Sequence, residues 1–299
     1  MSFKNTLRSF QRTLASLAAV GLMCAALPAP ALAWGDEGHH IVTMIAGKHL
    51  SATARQKIAT IMKGKSACGF VANDPAVDKL VCSATWADGS RFTTHKNTYN
   101  WHFVDITLNR ETYEEAKDCA PHDQATKGKC GLYGLERSRQ ILRGEITDPK
   151  ISRAQALMFI VHIVGDLHQP LHTVEEKLGG NFFFVTYFNI DSQLHKVWDT
   201  KILETRMIKL GKTESQYASI LDGQIGQAGE ASFLQGDPVS WLNDCHALAI
   251  NDAYAPLQGS GPGKPAIGDT YFKDSWPIVN EQLKRAGMRL AKILEDDLG

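Results

Sequence analysis

No Cys-x2-Cys pair occurs in this 299-residue chain, although it contains six cysteines. That absence excludes the commonest cysteine-built structural zinc sites. No Asn-x-Ser/Thr sequon is present either, which fits a bacterial periplasmic or secreted protein. Beyond an apolar run near the N-terminus, no stretch approaches the length that crosses a bilayer. The rest is therefore expected to be soluble, with no membrane insertion. An excess of one charge is also missing, with 32 Lys+Arg against 32 Asp+Glu. A protein that held duplex DNA by phosphate neutralisation alone would need more positive charge. Internal repeats, low-complexity tracts and an interdomain linker are all absent, which leaves one domain as the simplest organisation.

What is present begins with the pattern of an export signal. Lys4, Arg8 and Arg12 precede an apolar run from about Leu14 to Leu27, and Ala31-Leu32-Ala33 matches an A-x-A cleavage site. Removing residues 1–33 leaves 34–299 as the expected mature domain, beginning at Trp34. The segment takes three basic and no acidic residues with it, so 32 against 32 becomes 29 against 32, formally −3. Cys24 leaves too. In an oxidising compartment Cys68–Cys82 and Cys119–Cys130 are candidate local bridges with Cys245 left over, although five cysteines permit other pairings.

Apolar periodicity predicts helices over 36–50, 51–64, 111–119, 133–144, 152–168, 194–209, 213–227, 238–254 and 274–296. Ser51 is a candidate N-cap. In the last segment Leu283, Leu290, Ile293 and Leu294 recur at helical spacing, as core positions do. Residues 182–190, aromatic and β-branched, predict a strand or hairpin after the Gly179-Gly180 turn, and Gly259 to Gly263 a loop. The fold class expected is mainly α, a single compact helical domain with a short β-hairpin.

The chemistry concentrates on one apolar segment. His162 and Asp166 lie four residues apart and so share a helical face. Pro170 ends that helix and turns the chain so that His172 comes back towards it. One His–Asp pair at this spacing is more often structural, but ionisable groups on so apolar a helix need a partner or a metal. His195 and Asp199 repeat the spacing and, with His172, make a second nitrogen–oxygen set. After cleavage the Trp34 α-amine and carbonyl oxygen could chelate a metal, with His39 nearby. Trp86-Ala-Asp88 and Trp101-His102 add a further carboxylate and imidazole.

These motifs fall in one order: Trp34 to His39, Trp86-Ala-Asp88 to Arg91, Trp101-His102-Phe103 to Asp105, then His162 to His172. Gly179-Gly180-Asn181 and Leu194-His195 to Trp198-Asp199 follow. Together they closely resemble the zinc-dependent, single-strand-specific type I nucleases and 3′-nucleotidases, the S1/P1 family, of the phospholipase C/nuclease fold type. The likeness extends from Trp34 to the C-terminal helix at 286–291.

The resemblance implies three Zn²⁺ ions. Asp88, His102, His162 and Asp166 would hold the first, and Asp166 would bridge to a second held by Trp34 and His39. His172, His195 and Asp199 would hold the third. A water activated between the two ions sharing Asp166 would attack phosphorus in line, and Arg91 would stabilise charge on the phosphoryl oxygens. Asp88, Arg91 and Asp166 are thus the catalytic candidates. Phe103 would stack on the base, which Asp105 and Asn181 would contact by hydrogen bonds. The implied substrates are single-stranded DNA, RNA and 3′-nucleotides, and a monomer is expected. His168 points away from Asp166, while His40, His49, His95, His122 and His246 have no matching ligand role. Two alternatives are a zinc phospholipase C and a non-catalytic zinc-binding protein. The four-residue gap from Trp34 to His39 and Asp199 in place of Glu argue against the first. Arg91, Phe103 and Asn181 beside the ligands argue against the second.

Overall fold

The computed structural model describes residues 34–120, 123–259 and 263–299. The expected export signal, 1–33, lies outside the described residues, as do His122 and the middle of the Gly259–Gly263 loop. The architecture is mainly helical, with a small three-stranded sheet of order β2-β1-β3.

Helix α1 (Asp36–Lys48) is followed by α2 (Ala52–Ile61), whose start is capped by Ser51 Oγ accepting from the Ala54 N–H at 3.1 Å. Next come α3 (Pro75–Cys82), α4 (Trp86–Ser90) and a 3₁₀ segment (Lys96–His102). Two short turns, α5 (Glu115–Asp118) and α6 (Gln124–Lys127), lead to α7 (Gly131–Arg143). The central α8 (Arg153–Asp166) opens with a Ser152/Gln155 capping box, which satisfies N–H groups that a helix start leaves free. Every residue from Ala156 to Asp166 is buried, because α1, α4, α7 and α14 (Asp269–Leu298) all pack on it. From Ala156 onward no face of α8 meets water, which explains why that stretch is apolar apart from His162 and Asp166.

A second 3₁₀ segment (Pro170–Thr173) precedes the β1 (Phe184–Tyr187) and β2 (Ile190–Gln193) hairpin, and β3 (Ala266–Ile267) pairs parallel to β1. From β2 the chain enters α9 (Leu194–Lys196), a π-helical segment (Val197–Lys201) and α10 (Ile202–Leu210). Helices α11 (Glu214–Asp222), α12 (Gln227–Phe233) and α13 (Pro238–Leu248), a second π-helical segment (Ala249–Tyr254) and a 3₁₀ turn (Ala255–Leu257) complete the helical order before α14.

The hairpin, the N-cap at Ser51 and the core positions of the last helix agree with the sequence reading, since Leu283, Leu290, Ile293 and Leu294 are all buried. The boundaries shift. Only 115–118 of the 111–119 helix forms, 213–227 divides at Gly223 between α11 and α12, and α14 extends five residues further back than expected. Helices α3, α4 and α6 were not expected, although Asp74 followed by Pro75 is an N-cap signal for α3.

Both candidate disulfides are formed, Cys68–Cys82 with Cα atoms 5.5 Å apart and Cys119–Cys130 at 4.7 Å, while Cys245 is a buried free thiol. No helix among the described residues is long and apolar enough to cross a membrane. Gly287 lets α14 approach α1: a Cβ there would stand 2.5 Å from Ile45 Cγ2.

Candidate metal centre

Four elements bring His or Asp side chains together at the C-terminal end of α8. His162 and Asp166 come from α8, His39 from the first turns of α1, Asp88 from α4, and His102 from the end of the first 3₁₀ segment. His39, His102, His162 and Asp166 are 0% exposed. Asp166 sits at their centre. Its Oδ1 is 3.2 Å from His39 Nε2, and its Oδ2 is 3.2 Å from both His102 Nδ1 and His162 Nε2. Asp88 Oδ1 lies 3.6 Å from the same two nitrogens of His102 and His162.

A second group forms alongside. His172, from the Pro170 turn, His195 from α9 and Asp199 from the π-helical segment converge, with His195 Nε2 3.1 Å from Asp199 Oδ2 and His172 Nε2 3.7 Å from Asp199 Oδ1. The π-helical segment and α9 place Asp199 on the same face as His195, as their i, i+4 spacing requires. Among the described residues three sets of side chains offer ligand atoms within 4.8 Å of one another: His39/Asp88/His162, His102/His162/Asp166 and His172/His195/Asp199.

Backbone carbonyls orient the rings. His162 Nδ1 donates to Ala84 O at 2.8 Å, His172 Nδ1 to His102 O at 2.6 Å, and His195 Nδ1 to Gly179 O at 2.5 Å. Each bond sets the tautomer and leaves Nε2 with a lone pair facing the cluster, the arrangement metal-ligating histidines adopt. Both ring nitrogens of His39, both oxygens of Asp166, Nε2 of His172 and Oδ2 of Asp199 are buried without a hydrogen-bond partner. Each such atom costs about 1–3 kcal/mol if left unsatisfied, so this concentration calls for a cation.

The electrostatics agree. Burial opposes protonation of His162, but the Asp166 and Asp88 carboxylates outweigh it and raise its pKa to about 10. Burial pushes Asp166 up to about 7, with His162 pulling the other way. His39 and His102 are held well below the ordinary imidazole value, first by burial and then by neighbouring positive charge. The Asp166 and Asp88 carboxylates thus draw positive charge to His162 Nε2, the place a bound cation would take with the imidazole neutral. The nitrogen–oxygen donor set fits zinc.

Trp34 is fully buried, and the Gly35 N–H donates to Asp199 O at 2.9 Å, tying the start of α1 to the outer group. Gly165 is required beside it: a Cβ there would meet His39 Nδ1 at 2.7 Å and Cε1 at 2.9 Å. His39 cannot retreat easily, because its ring stacks on His162 with centroids 4.1 Å apart. Gly165→Ala gains about 1 kcal/mol of helix propensity and loses about 1–3 kcal/mol to overpacking, so the net stability change is modest. The expected consequence is displacement of His39, with loss of one bound ion per chain by metal analysis and about a 10–100-fold drop in activity. A metal content equal to that of the unsubstituted protein would rule it out.

Above the metal groups opens a cleft of about 990 Å³. Arg91, Phe103, Asp105, Asn181, His172 and His195 line it, so the expected substrate-binding side chains border the outer group. Arg91 is 5% exposed, with Nη2 3.2 Å from Asp88 Oδ1. Asn181 Nδ2 donates to Leu178 O at 2.8 Å. Asp105 is pushed up to about 7, first by burial and then by the carboxylates of Glu175, Asp123 and Asp118. Tyr99 and Phe182 also line the cleft. Neither stood out in the sequence, because no ligand-like spacing marks them. Tyr99 stands edge-on to Phe103, with ring centroids 6.2 Å apart.

The remaining histidines serve elsewhere. His168 Nδ1 donates to Val164 O and its Nε2 accepts from Arg289 Nη1 at 2.9 Å, away from the cluster. Burial and Arg289 lower its pKa to about 3, so it stays neutral. His40 pairs with Glu214, His49 with Asp222, His95 with the Lys150 carbonyl and His246 with the Arg110 carbonyl.

Comparison with known proteins points the same way. The sequence profile described as S1/P1 Nuclease matches residues 34–298. The chain is 28% identical to Nuclease S1 of Aspergillus oryzae over 287 residues, covering 88% of this chain and 91% of that protein. It is 30% identical over 284 residues to Endonuclease 3 of Arabidopsis thaliana, covering 88% of each. It is 26% identical to Nuclease P1 of Penicillium citrinum over 287 residues, covering 88% of this chain and 97% of that protein. With its His/Asp centre and its cleft, the chain belongs to the S1/P1 nuclease family.

Proposed function

We propose that this nuclease is a zinc-dependent phosphodiesterase that hydrolyses single-stranded DNA and RNA to 5′-phosphorylated nucleotides and removes phosphate from 3′-nucleotides. The observation that carries this reading is Asp166, buried 3.2 Å from the imidazole nitrogens of His39, His102 and His162 and grouped with the last two as a possible ligand set. Three ions are assigned: one to Asp88, His102, His162 and Asp166, one to Trp34, His39 and Asp166, and one to His172, His195 and Asp199. Bound zinc would supply Lewis acidity toward the phosphate and lower the pKa of the attacking water. The chain's own residues do the rest. Arg91, held beside Asp88, offers its guanidinium to the phosphoryl oxygens as negative charge builds. Phe103 supplies a stacking face for an unpaired base, which a base held in duplex cannot use. Asp105 and Asn181 accept or donate at the base edge.

Residues 1–33 act, in this reading, as an export signal cut after Ala33, which places the enzyme in the periplasm or outside the cell. A substrate panel tests the function. Release of acid-soluble nucleotides from single-stranded DNA or RNA is expected, with little from duplex. Hydrolysis of phosphatidylcholine alone would instead make the protein a phospholipase C, and inactivity on all three would leave a zinc-binding protein.

Asp105 makes the reaction pH-dependent. As pH falls through about 7 its carboxylate takes up a proton and loses acceptor capacity toward base amino groups. The kcat/KM for a 3′-adenosine nucleotide should therefore fall more steeply below pH 7 in the unsubstituted enzyme than in Asp105→Asn. Because the folded pKa lies above the ordinary carboxylate value, ionising Asp105 costs stability, and the cost grows as pH rises from about 4 to about 7. Asp105→Asn should thus raise the melting temperature at pH 8 by a few degrees and leave it unchanged at pH 4. Parallel pH profiles for the two proteins would contradict this.

A further inference from the structure

Gln169 connects both halves of the centre, yet it carries no ligand atom of its own. It is 0% exposed, and all of its polar groups bond to the residues that surround the metal groups. Its backbone N–H donates to Asp166 O at 3.0 Å, and its carbonyl accepts from the His172 N–H at 2.9 Å. Its side chain then bridges two separate elements. Oε1 accepts from the Leu171 N–H at 2.5 Å and so closes the Pro170 turn, while Nε2 donates to Asp199 Oδ1. An amide is planar and offers its donor and acceptor in a fixed relation. The turn that delivers His172 and the carboxylate of Asp199 are therefore set by a single rigid group.

The asymmetry at Asp199 shows what this does. Oδ1 is occupied by Gln169, whereas Oδ2 faces His195 Nε2 at 3.1 Å and has no hydrogen-bond partner. We propose that Gln169 is a positioning residue for an ion bound by His172, His195 and Asp199, aiming Asp199 Oδ2 and His172 Nε2 at one point. The inference rests on the metal reading of that group given under Proposed function.

Gln169→Met keeps the length and removes both side-chain bonds. Zinc titration against a competing chelator should show the outer ion held about 10–100-fold more weakly, the usual effect of losing such a partner, with the inner two unchanged. Thr173→Val is the control. It breaks the other side-chain bond of the same turn, Thr173 Oγ1 to Pro170 O at 2.7 Å, without touching Asp199, and should retain all three ions. In the unsubstituted protein, zinc addition should shift the Gln169 side-chain amide proton signal in NMR and slow its exchange. That measurement stands even if the methionine variant fails to fold. Unchanged zinc affinity in Gln169→Met, equal loss in Thr173→Val, or an unresponsive amide would each overturn the inference. An unsubstituted protein that binds zinc only at the inner groups would instead remove the metal reading of the outer group.

Discussion

Asp166→Asn is expected to lower phosphodiesterase turnover at least about a thousandfold and to remove two of three bound ions. A thousandfold corresponds to about 4 kcal/mol of transition-state stabilisation, within the range for losing a charged group that organises a reaction centre. The size follows from position. Both Asp166 oxygens lie 3.2 Å from imidazole nitrogens on three different elements, and neither has a hydrogen-bond donor. Asparagine would present an N–H in place of one oxygen and withdraw the negative charge that the two inner ions would share under the proposed assignment. Asp199→Asn touches only the outer group and should cost one ion. Metal analysis of the two variants side by side checks the prediction, and equal three-ion content would refute it. Melting gives a second reading. Zinc that binds only the folded state raises stability by its binding free energy, so the melting shift on zinc addition should shrink most in Asp166→Asn.

A protein that retains even one residue before Trp34 is expected to lose one ion and roughly a hundredfold or more in activity. An α-amine can coordinate zinc, and the amide formed by a preceding residue cannot do so without losing its proton. Trp34 is fully buried, His39 follows within the first turns of α1, and Gly35 is bonded to the backbone of Asp199. An extension would therefore leave His39, Asp166 and the Trp34 carbonyl in place while removing the amine donor assigned to Trp34. The comparison needs two preparations, one cleaved to begin at Trp34 and one carrying a short N-terminal extension, both verified by mass. Three ions and full activity in the extended form would exclude the α-amine as a ligand. The prediction also gives export a chemical role, since the complete site would form only after processing.

Much of the centre was legible because helical spacing is a strict geometry. His162/Asp166 and His195/Asp199 each stand four apart, and both pairs fall on one face in the structure. The Pro170 turn was legible too, because proline cannot continue a helix and the chain must bend there. The short helices α3, α4 and α6 were less so. At four to eight residues they gain little from their own hydrogen bonds and exist because tertiary packing holds them. Spacing alone left Asp88 and His102 as isolated residues beside tryptophans; the family resemblance linked them to His162 and Asp166, and α4 and the 3₁₀ segment bring them against α8.

By itself the amino-acid sequence determined the mainly helical class and the hairpin, offered the two disulfides as the local candidates, and through the family resemblance named nearly every side chain at the centre. These depend on local periodicity, on short loops and on motifs whose order along the chain can be read directly. Spacing did not decide how those side chains are shared: the family resemblance implied that Asp166 is common to two sites, and the tertiary structure supplies the contacts. Asp166 becomes the common neighbour of His39, His102 and His162 because α1, α8 and the 3₁₀ segment cross at one buried point, which no spacing encodes. Gly165 and Gln169 gained their meaning in the same way, one as the space that His39 fills and the other as the amide between His172 and Asp199. The physical reason is range. Spacing governs contacts within a turn of helix, whereas a metal centre is built from contacts between segments as far apart as 39 and 166.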